Sequence, residues 1–338
     1  MISFPLAIQT SYQDLLEAHK TRTISDLGGT PFLKDQGDQG SYWYARQRIG
    51  DRVVDRYLGR DSKDLRERIG QAQEALEDQK TFDRRCSSLV AQLRAAGLPA
   101  LDRDTGKVLN AMARVGTFRL GGTLVGTHAF RLYSAELGVR LEDALAVTQD
   151  VDIAAFENLK LVIDDKADPT LAQTFKDLNF SPAPGLDRKN RPTRWVMQGG
   201  GTMVDFLAPR MREDAETLLL APLGVYAQAL SFLNFLIADP IPAVGLYRSG
   251  ILVQIPRPER YAIHKLIVAQ KRFGNMQAKA RKDLAQAEVL IRLLVEDRPS
   301  TLIESYEKAI NTGPKWKDAI ERSLVQRADI AALLHEIS

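Results

Sequence analysis

The segment Ala146-Val147-Thr148-Gln149-Asp150-Val151-Asp152-Ile153 constrains the fold more than any other, because two acids alternate in it with apolar residues. Alternation of this kind predicts a strand over Ala146–Phe156, with Asp150 and Asp152 on one face and the apolar residues turned toward a core. Two carboxylates on one face repel each other unless a cation lies between them. Mg²⁺ prefers carboxylate and phosphate oxygens, so the pair predicts a site for Mg²⁺ or Mn²⁺. The alternative explanation is an acidic surface strand, which is common.

A second predicted strand, Thr202–Leu207, carries the single acid Asp205 between apolar neighbours. Arg194–Gln198 precedes it, and Gly199-Gly200-Gly201 joins the two as a hairpin. An unpaired buried carboxylate is costly, so we expect Asp205 beside the first two acids on a neighbouring strand. Three carboxylates placed in this way suit phosphoryl transfer with two metal ions. An exposed strand end would explain Asp205 taken alone.

The sequence Leu124-Val125-Gly126-Thr127-His128 predicts a strand that runs into a helix. A glycine at this junction lets a phosphate approach the backbone, and the helix N-terminus offers N–H donors. Gly126 and Thr127 are therefore candidate ligands for nucleotide phosphates, although a Gly-Thr pair before a helix is usually only a cap. Gly121-Gly122-Thr123 is an alternative position for the turn. His128 is either a phosphate contact or a histidine packed at the helix start.

In this order, the stretches LVGTHAFRLY, TQDVDIA and VDFLAP resemble the polymerase-β-like nucleotidyltransferase superfamily over about residues 105–300. They are closer still to a bacterial nucleotidyltransferase-like family of uncharacterised members. They are more distantly similar to the nucleotidyltransferase toxins of abortive-infection systems. The resemblance implies that Gly126 and Thr127 form the phosphate turn, where many members have Ser or Gly at the second position. It also implies a metal-binding pair followed by a third acid, which match Asp150, Asp152 and Asp205.

The resemblance implies an enzyme that moves a nucleoside monophosphate from an NTP to a hydroxyl acceptor and releases pyrophosphate. ATP is among the candidate substrates. RNA, a protein and a small molecule are the candidate acceptors. The alternative is a non-enzymatic nucleic-acid-binding or regulatory module on the same fold. The intact acids argue against that alternative, because the loss of one would be the expected mark of an inactive site.

Two lysines after residue 255 are candidates for contacting the triphosphate. Lys265 lies on a predicted helix from about Glu259 to Arg272, where it shares a face with Tyr261. Lys282 lies near the start of the next predicted helix. Members of the superfamily that this chain resembles commonly place a lysine or arginine of the helical domain against the triphosphate. The alternative is a solvated helix face, which is the usual explanation of charged runs.

Two short predicted strands, SYWYARQ and RVVDRYLG, interleave aromatic residues with arginines around a turn at Gly50-Asp51. Aromatic stacking combined with arginine is a chemistry that binds nucleic acid, so RNA is a possible acceptor. Aromatic residues are also the normal way to bury one face of a two-stranded ribbon. Packing is the favoured explanation.

The chain of 338 residues is long enough for two or three domains. The patterns predict a helix from about Ser11 to Ser25, the hairpin and a charged helix over residues 1–85. A core that mixes helix and strand follows over 86–212, and a mostly helical region over 213–338. This is an α+β fold in which one small mixed sheet carries the acids.

A single cysteine, Cys86, rules out an intramolecular disulfide. No apolar run approaches the ~20 residues needed to cross a bilayer. We therefore expect a cytoplasmic protein with no membrane partner. The net charge of +3, from 46 basic and 43 acidic residues, is too even to indicate nucleic-acid binding by itself.

Overall fold

A computed structural model of the protein describes residues 2–337 except 21–29, 36–40, 50–51, 143–144, 146–147, 149, 158–166, 168, 186, 188, 213–214 and 273. Parts of three sequence predictions therefore lie outside the described residues. They are 21–25 of the first helix, the turn at 50–51, and 146–147 and 149 of the strand that contains the acid pair. Within the described residues, no helix is both long and apolar enough to cross a membrane.

The N-terminal region contains two helices and a small antiparallel sheet. Its elements are β1 (Ile2–Ser3), α1 (Leu6–Lys20), β2 (Thr30–Asp35), β3 (Ser41–Ile49), β4 (Arg52–Arg60) and α2 (Lys63–Ala95). The predicted hairpin is β3–β4, and β2 pairs with β3 to make a sheet of three strands in the order β2-β3-β4.

Helix α2 is longer than predicted, because two predicted helices, from about Ser62 to Arg85 and from Ser87 to Ala96, form one. The hydroxyl oxygen of Ser62 accepts a hydrogen bond from the Leu65 N–H and caps its N-terminus. No glycine or proline stands near Cys86 to end a helix there, so the helix continues to Ala95.

The core is an α+β unit whose sheet holds the acids. Its elements are α3 (Arg103–Arg114), β5 (Thr123–Val125), α4 (Gly126–Glu136), β6 (Val139–Arg140), β7 (Asp150–Ala154), α5 (Leu171–Asp177), β8 (Phe180–Pro182), β9 (Arg194–Met197), β10 (Met203–Pro209), β11 (Thr217–Leu220) and β12 (Val225–Leu230). Seven of these strands form one mixed sheet, and β6 pairs separately with β1.

Strand β10 lies in the middle of the mixed sheet. Along one edge it pairs in parallel with β7. Along its other edge, the first half of β10 pairs antiparallel with β9 and the second half pairs in parallel with β12. Strand β5 pairs antiparallel with β7, which places the end of β5 and the start of α4 beside the acid pair.

Two segments of the core differ from the sequence prediction. The predicted strand Phe118–Val125 is confined to Thr123–Val125, because the chain turns before it at two glycines of positive φ, Gly116 and Gly121. Strands β11 and β12 lie in the region predicted to be mostly helical, and the sheet therefore extends to Leu230. The domain boundary expected near residue 212 stays a prediction.

The face of the sheet opposite the acids is apolar and packs on α5. Val151 and Ile153 of β7 and Val204 and Phe206 of β10 are fully buried. The ring of Phe175 on α5 lies with its centroid 5.9 Å from that of Phe206. The alternation in β7 and β10 thus separates a core face from a face that carries carboxylates.

The C-terminal region begins with the short helix α6 (Leu233–Leu236) and the strand pair β13 (Ile241–Gly245) and β14 (Ile251–Ile255). Five helices follow: α7 (Pro258–Ala269), α8 (Gln277–Asp297), α9 (Pro299–Ile310), α10 (Pro314–Val325) and α11 (Ala328–Ile337). Pro258 stands in the first turn of α7, as expected for a residue with a fixed φ and no N–H to satisfy. Tyr261 of α7 packs edge-on against Tyr133 of α4 at 5.2 Å, which joins the helical region to the core.

Candidate active site

Asp152 and Asp205 are direct neighbours on parallel strands. In the register of β7 with β10, Asp152 lies opposite Asp205, and Asp150 lies opposite Met203. Paired residues of neighbouring strands stand about 4.8 Å apart and point to the same face. The structure therefore brings the three predicted acids to one face of the sheet, at the N-terminal ends of β7 and β10.

Burial and the neighbouring acids disfavour the ionised form of the Asp152 carboxyl group. Burial, together with the negative charges of Asp205 and Asp150, raises its pKa from 3.8 to about 7, against the opposing effect of Lys265 and Lys279. The protonated form is therefore favoured to a higher pH than in an exposed aspartate. A bound cation would favour the ionised form, as expected for a metal ligand.

Gly126 lies at the start of α4 and directly against Asp152. Its φ is +64°, a left-handed conformation that favours glycine. A Cβ at this position would overlap the Oδ2 atom of Asp152. Val125, the residue before it, pairs with Asp152 across β5 and β7. Only glycine allows the turn into α4 to approach the acid this closely.

The N-terminus of α4 is not capped by a side chain in the described part of the chain. Thr127 stands half-buried in its first turn. The explanation of Thr127 as a cap is therefore wrong, and the N–H groups of the first turn keep donors for an anion. The alternative turn at Gly121-Gly122-Thr123 precedes a strand instead, and Thr123 is buried in it.

Arg194 binds Asp205, a contact that we did not predict. Its Nε and Nη2 atoms donate hydrogen bonds to Oδ1 and Oδ2 of Asp205 at 2.6 and 2.8 Å. The hydrogen bond to Asp205 raises the pKa of Arg194. The predicted hairpin, with the three glycines as its loop, would pair Asp205 with Trp195 instead. In the structure Gln198 also belongs to the loop, which shifts the register by one residue and places Arg194 opposite Asp205.

Lys265 lies beside the acid cluster and is buried. Its Nζ atom donates a hydrogen bond of 2.5 Å to Oδ1 of Asp283 on α8 and lies 5.1 Å from the centre of the Tyr261 ring. Arg272 also contacts Asp283, at 3.2 Å. The positive charge of Lys265 lowers the pKa of Asp152, so Lys265 lies within electrostatic reach of the acids. The alternative of a solvated helix face is wrong for Lys265.

Lys282 is half-buried next to the same group of charges. Burial lowers its pKa, as does the positive charge of Lys265, whereas Asp283 and Asp150 raise it. Lys282 thus lies within electrostatic reach of the acid pair, as does Lys279, whose charge lowers the pKa of Asp152.

Tyr261 connects the helical region to the phosphate turn. Its hydroxyl oxygen lies 2.9 Å from the carbonyl oxygen of Gly126 and 3.0 Å from Oε1 of Gln286 on α8. The Nε2 atom of Gln286 in turn donates to the carbonyl oxygen of Leu145, ahead of β7. Buried hydrogen bonds of this kind hold α7, α8 and the turn in one arrangement.

A comparison with known protein families concerns the part of the chain that carries the acids. Residues 103–311 match a protein family described as nucleotidyltransferase. The chain belongs to this nucleotidyltransferase family. The match covers the acids, the turn at Gly126 and both candidate lysines, and the prediction of an enzyme of this class is confirmed.

Further comparisons add little about the nucleotidyltransferase's role. Residues 10–67 match a domain of unknown function (DUF6788). The comparison with curated proteins found no match. Among solved structures, the chain is similar to an antigenic nucleotidyltransferase-like protein from Paracoccidioides brasiliensis. That similarity has 17% sequence identity and a TM-score of 0.42, over 70% of this chain and 94% of that chain.

The acids of the nucleotidyltransferase fit a divalent cation only in part as they stand. Within the described residues, no group of three or more acids, histidines or cysteines is arranged to hold a metal ion. Both oxygens of Asp205 face Arg194 rather than Asp152. The donor chemistry of Asp150 and Asp152 suits Mg²⁺ or Mn²⁺, and Asp205 would complete the site only after leaving Arg194.

His128 is a buried residue rather than a phosphate donor. It is fully buried, and within the described residues its ring nitrogens have no hydrogen-bond partner. Burial and the positive charge of Arg131 lower its pKa to about 4. The ring is therefore neutral at pH 7, which favours the packing explanation of His128.

The three-stranded sheet of the nucleotidyltransferase has two different faces. On one face Ala45 is buried and the indole N–H of Trp43 donates to Asp61 at 2.9 Å, so Trp43 serves packing. On the other, Phe32 stacks on Tyr44 with ring centroids 5.9 Å apart, and the guanidinium of Arg46 lies 4.6 Å from the centre of the Phe32 ring. The packing explanation thus holds for one face, and the second combines aromatic rings with arginine.

Proposed function

We propose that this nucleotidyltransferase transfers a nucleoside monophosphate from an NTP to a hydroxyl acceptor in a metal-dependent reaction. The pairing of Asp152 with Asp205, opposite the glycine that opens α4, is the observation that carries the proposal. Two neighbouring acids next to a helix N-terminus place ligands for a cation beside N–H groups that can donate to an anion.

In this proposal each residue has a separate task. Asp150 and Asp152 hold Mg²⁺ or Mn²⁺ together with phosphate oxygens, and Asp205 completes the site and accepts the proton of the acceptor hydroxyl. When bound, the divalent cations would offset charge on the phosphates and on the attacking oxygen. Gly126 and Thr127 bind the β- and γ-phosphates through the N-terminus of α4.

Lys265 and Lys282 offset the remaining phosphate charge. Lys265 is held in place by Asp283, above the ring of Tyr261, and needs only to exchange one anionic partner for another. The acceptor oxygen attacks the α-phosphorus in line and forms a new P–O bond. The bond to the bridging oxygen of the β-phosphate breaks, and pyrophosphate leaves with that electron pair.

RNA is the acceptor that we propose to test first. The face that carries Phe32, Tyr44 and Arg46 offers stacking rings beside a guanidinium, which is the chemistry that binds unpaired bases. Arg46 pairs with Asp55 through two hydrogen bonds and would exchange this partner for a phosphate of the RNA.

The proposal is tested by incubating the protein with each of the four α-labelled NTPs, Mg²⁺ or Mn²⁺, and pooled cellular RNA, protein or metabolites. We expect label to appear in one acceptor pool, with one NTP preferred, and to disappear when EDTA is added. The absence of transfer from all four NTPs to all three pools would overturn the proposal. Label in the protein or metabolite pool alone would overturn RNA as the acceptor.

A further inference from the structure

Arg194 and Asp205 form a two-pronged ion pair at the proposed metal site. The two hydrogen bonds, of 2.6 and 2.8 Å, join both nitrogens of one edge of the guanidinium to both carboxylate oxygens. The side chain of Asp205 is 15% exposed, whereas that of Arg194 is 48% exposed. The carboxylate is thus held within the site, and the guanidinium covers it from the solvent side.

This ion pair leaves Asp205 in an arrangement that a metal ion cannot share. A guanidinium supplies positive charge where the second divalent cation would supply it, and the two cations would repel each other. The charges of Asp150 and Asp152 also raise the pKa of Arg194, so the guanidinium lies within reach of all three acids. Arg194 therefore competes for the acids with the cation that they are proposed to bind.

We propose that Arg194 is a resident counter-ion, which releases Asp205 to the second metal ion only when a nucleotide phosphate receives its guanidinium. Phosphate matches the fork of arginine as well as carboxylate does, so the exchange keeps two hydrogen bonds. The consequence is that nucleotide and the second metal ion bind cooperatively. This inference rests on the proposed function, because it assumes that Asp205 is a metal ligand.

Lys265 cannot release a metal ligand in the same way. Its hydrogen bond goes to Asp283, which lies on α8 and outside the three acids. Release of Lys265 would therefore free none of the three acids to bind a metal ion. Arg194 differs because its partner is itself one of the proposed ligands.

The test is a titration of the metal-free protein with Mn²⁺ alone, followed by calorimetry or by the EPR signal of free Mn²⁺. Arg194→Gln removes the competing charge, so we expect it to bind Mn²⁺ roughly tenfold more tightly than the wild type does. The same variant should show a higher KM for NTP, because the phosphate loses its arginine. A structural role of Arg194 would instead weaken the binding of both ligands.

The cooperative step is measured by repeating the titration with an α,β-methylene NTP, which binds but does not transfer. The wild type should bind Mn²⁺ more tightly with this analogue, and Arg194→Gln should gain much less. Arg194→Lys keeps the charge without the fork and should fall between the two. Arg191→Gln is the matched control, because Arg191 pairs with Asp187 at 2.6 Å and should leave Mn²⁺ binding unchanged.

Equal or weaker binding of Mn²⁺ by Arg194→Gln, with wild-type transfer intact, would overturn the counter-ion role and leave the proposed function standing. Failure of the folded wild type and of Arg194→Gln to bind either Mn²⁺ or the NTP analogue would instead overturn the proposed function, and the counter-ion role with it.

Discussion

The backbone of Gly126 lies so close to the carboxylate of Asp152 that a Cβ at position 126 would overlap Oδ2 of the acid. Gly126→Ala should therefore displace Asp152 or the start of α4 and abolish transfer. Gly224→Ala is the matched control, because Gly224 has a similar φ of +67° but open space around its Cα. Both variants should lose about 1 kcal/mol of unfolding free energy from backbone strain.

Steady-state transfer and thermal unfolding of the two variants check this prediction. Only Gly126→Ala should lose activity. Comparable activity in Gly126→Ala and the wild type would show that the close approach of turn and acid has no role in the reaction.

The raised pKa of Asp152 predicts how the stability of the metal-free protein depends on pH. Its pKa is about 7 in the folded protein, against an ordinary value of 3.8, so the folded state binds the proton more tightly than the unfolded chain does. The contribution of Asp152 is then fully present below pH 4 and is lost as the pH rises through 7. Asp152→Asn removes this loss, and at pH 8 in EDTA its Tm should exceed that of the wild type by about 3 °C.

The measurement is a set of melting curves between pH 4 and 8, with EDTA and with Mn²⁺. Mn²⁺ should raise the Tm of the wild type and not that of Asp152→Asn. A Tm difference that does not change with pH would contradict the assignment of the raised pKa to Asp152.

Variants of Lys265 and Asp283 separate the contribution of Lys265 to phosphate binding from its contribution to stability. Lys265→Met leaves Asp283, which is 4% exposed, with Arg272 as its remaining cation, so the unfolding free energy should fall by roughly 3 kcal/mol. The KM for NTP should rise at the same time. The double variant Lys265→Met/Asp283→Asn should recover stability but keep the high KM. Recovery of the normal KM in the double variant would remove Lys265 from the phosphate site.

The aromatic face of the N-terminal sheet predicts a specific loss of acceptor binding. Tyr44→Ala and Arg46→Gln should raise the KM for RNA several-fold and leave the KM for NTP unchanged, and the effect of Arg46→Gln should shrink at high salt. Trp43→Phe, on the opposite face, is the matched control. An equal effect of all three variants on the KM for RNA would show that this face serves packing alone.

The alternation of acids and apolar residues was enough to predict the strands that carry Asp150, Asp152 and Asp205, because one face of each strand had to be buried. The residues that bind these acids and their turn were harder to predict. The pairing of Arg194 with Asp205 could not be counted from the sequence, because a loop of the three glycines alone would have paired Asp205 with Trp195.

Other contacts had no local signal. Lys265 and Asp283 lie 18 residues apart on different helices, and Tyr261 and Gly126 lie 135 apart. Strands β11 and β12 were missed because the sequence from Thr217 to Leu236 is nearly continuous in apolar residues, a pattern that fits a buried strand and a buried helix equally well.

The most direct test of the central claim is the release of pyrophosphate and the transfer of label by the wild type, Asp152→Asn and Asp205→Asn, each with Mg²⁺, with Mn²⁺ and with EDTA. The account predicts transfer by the wild type with either metal, none in EDTA, and a loss of roughly a thousandfold in each variant with folding retained. Transfer that survives EDTA, or that persists at the wild-type rate in either variant, would contradict it.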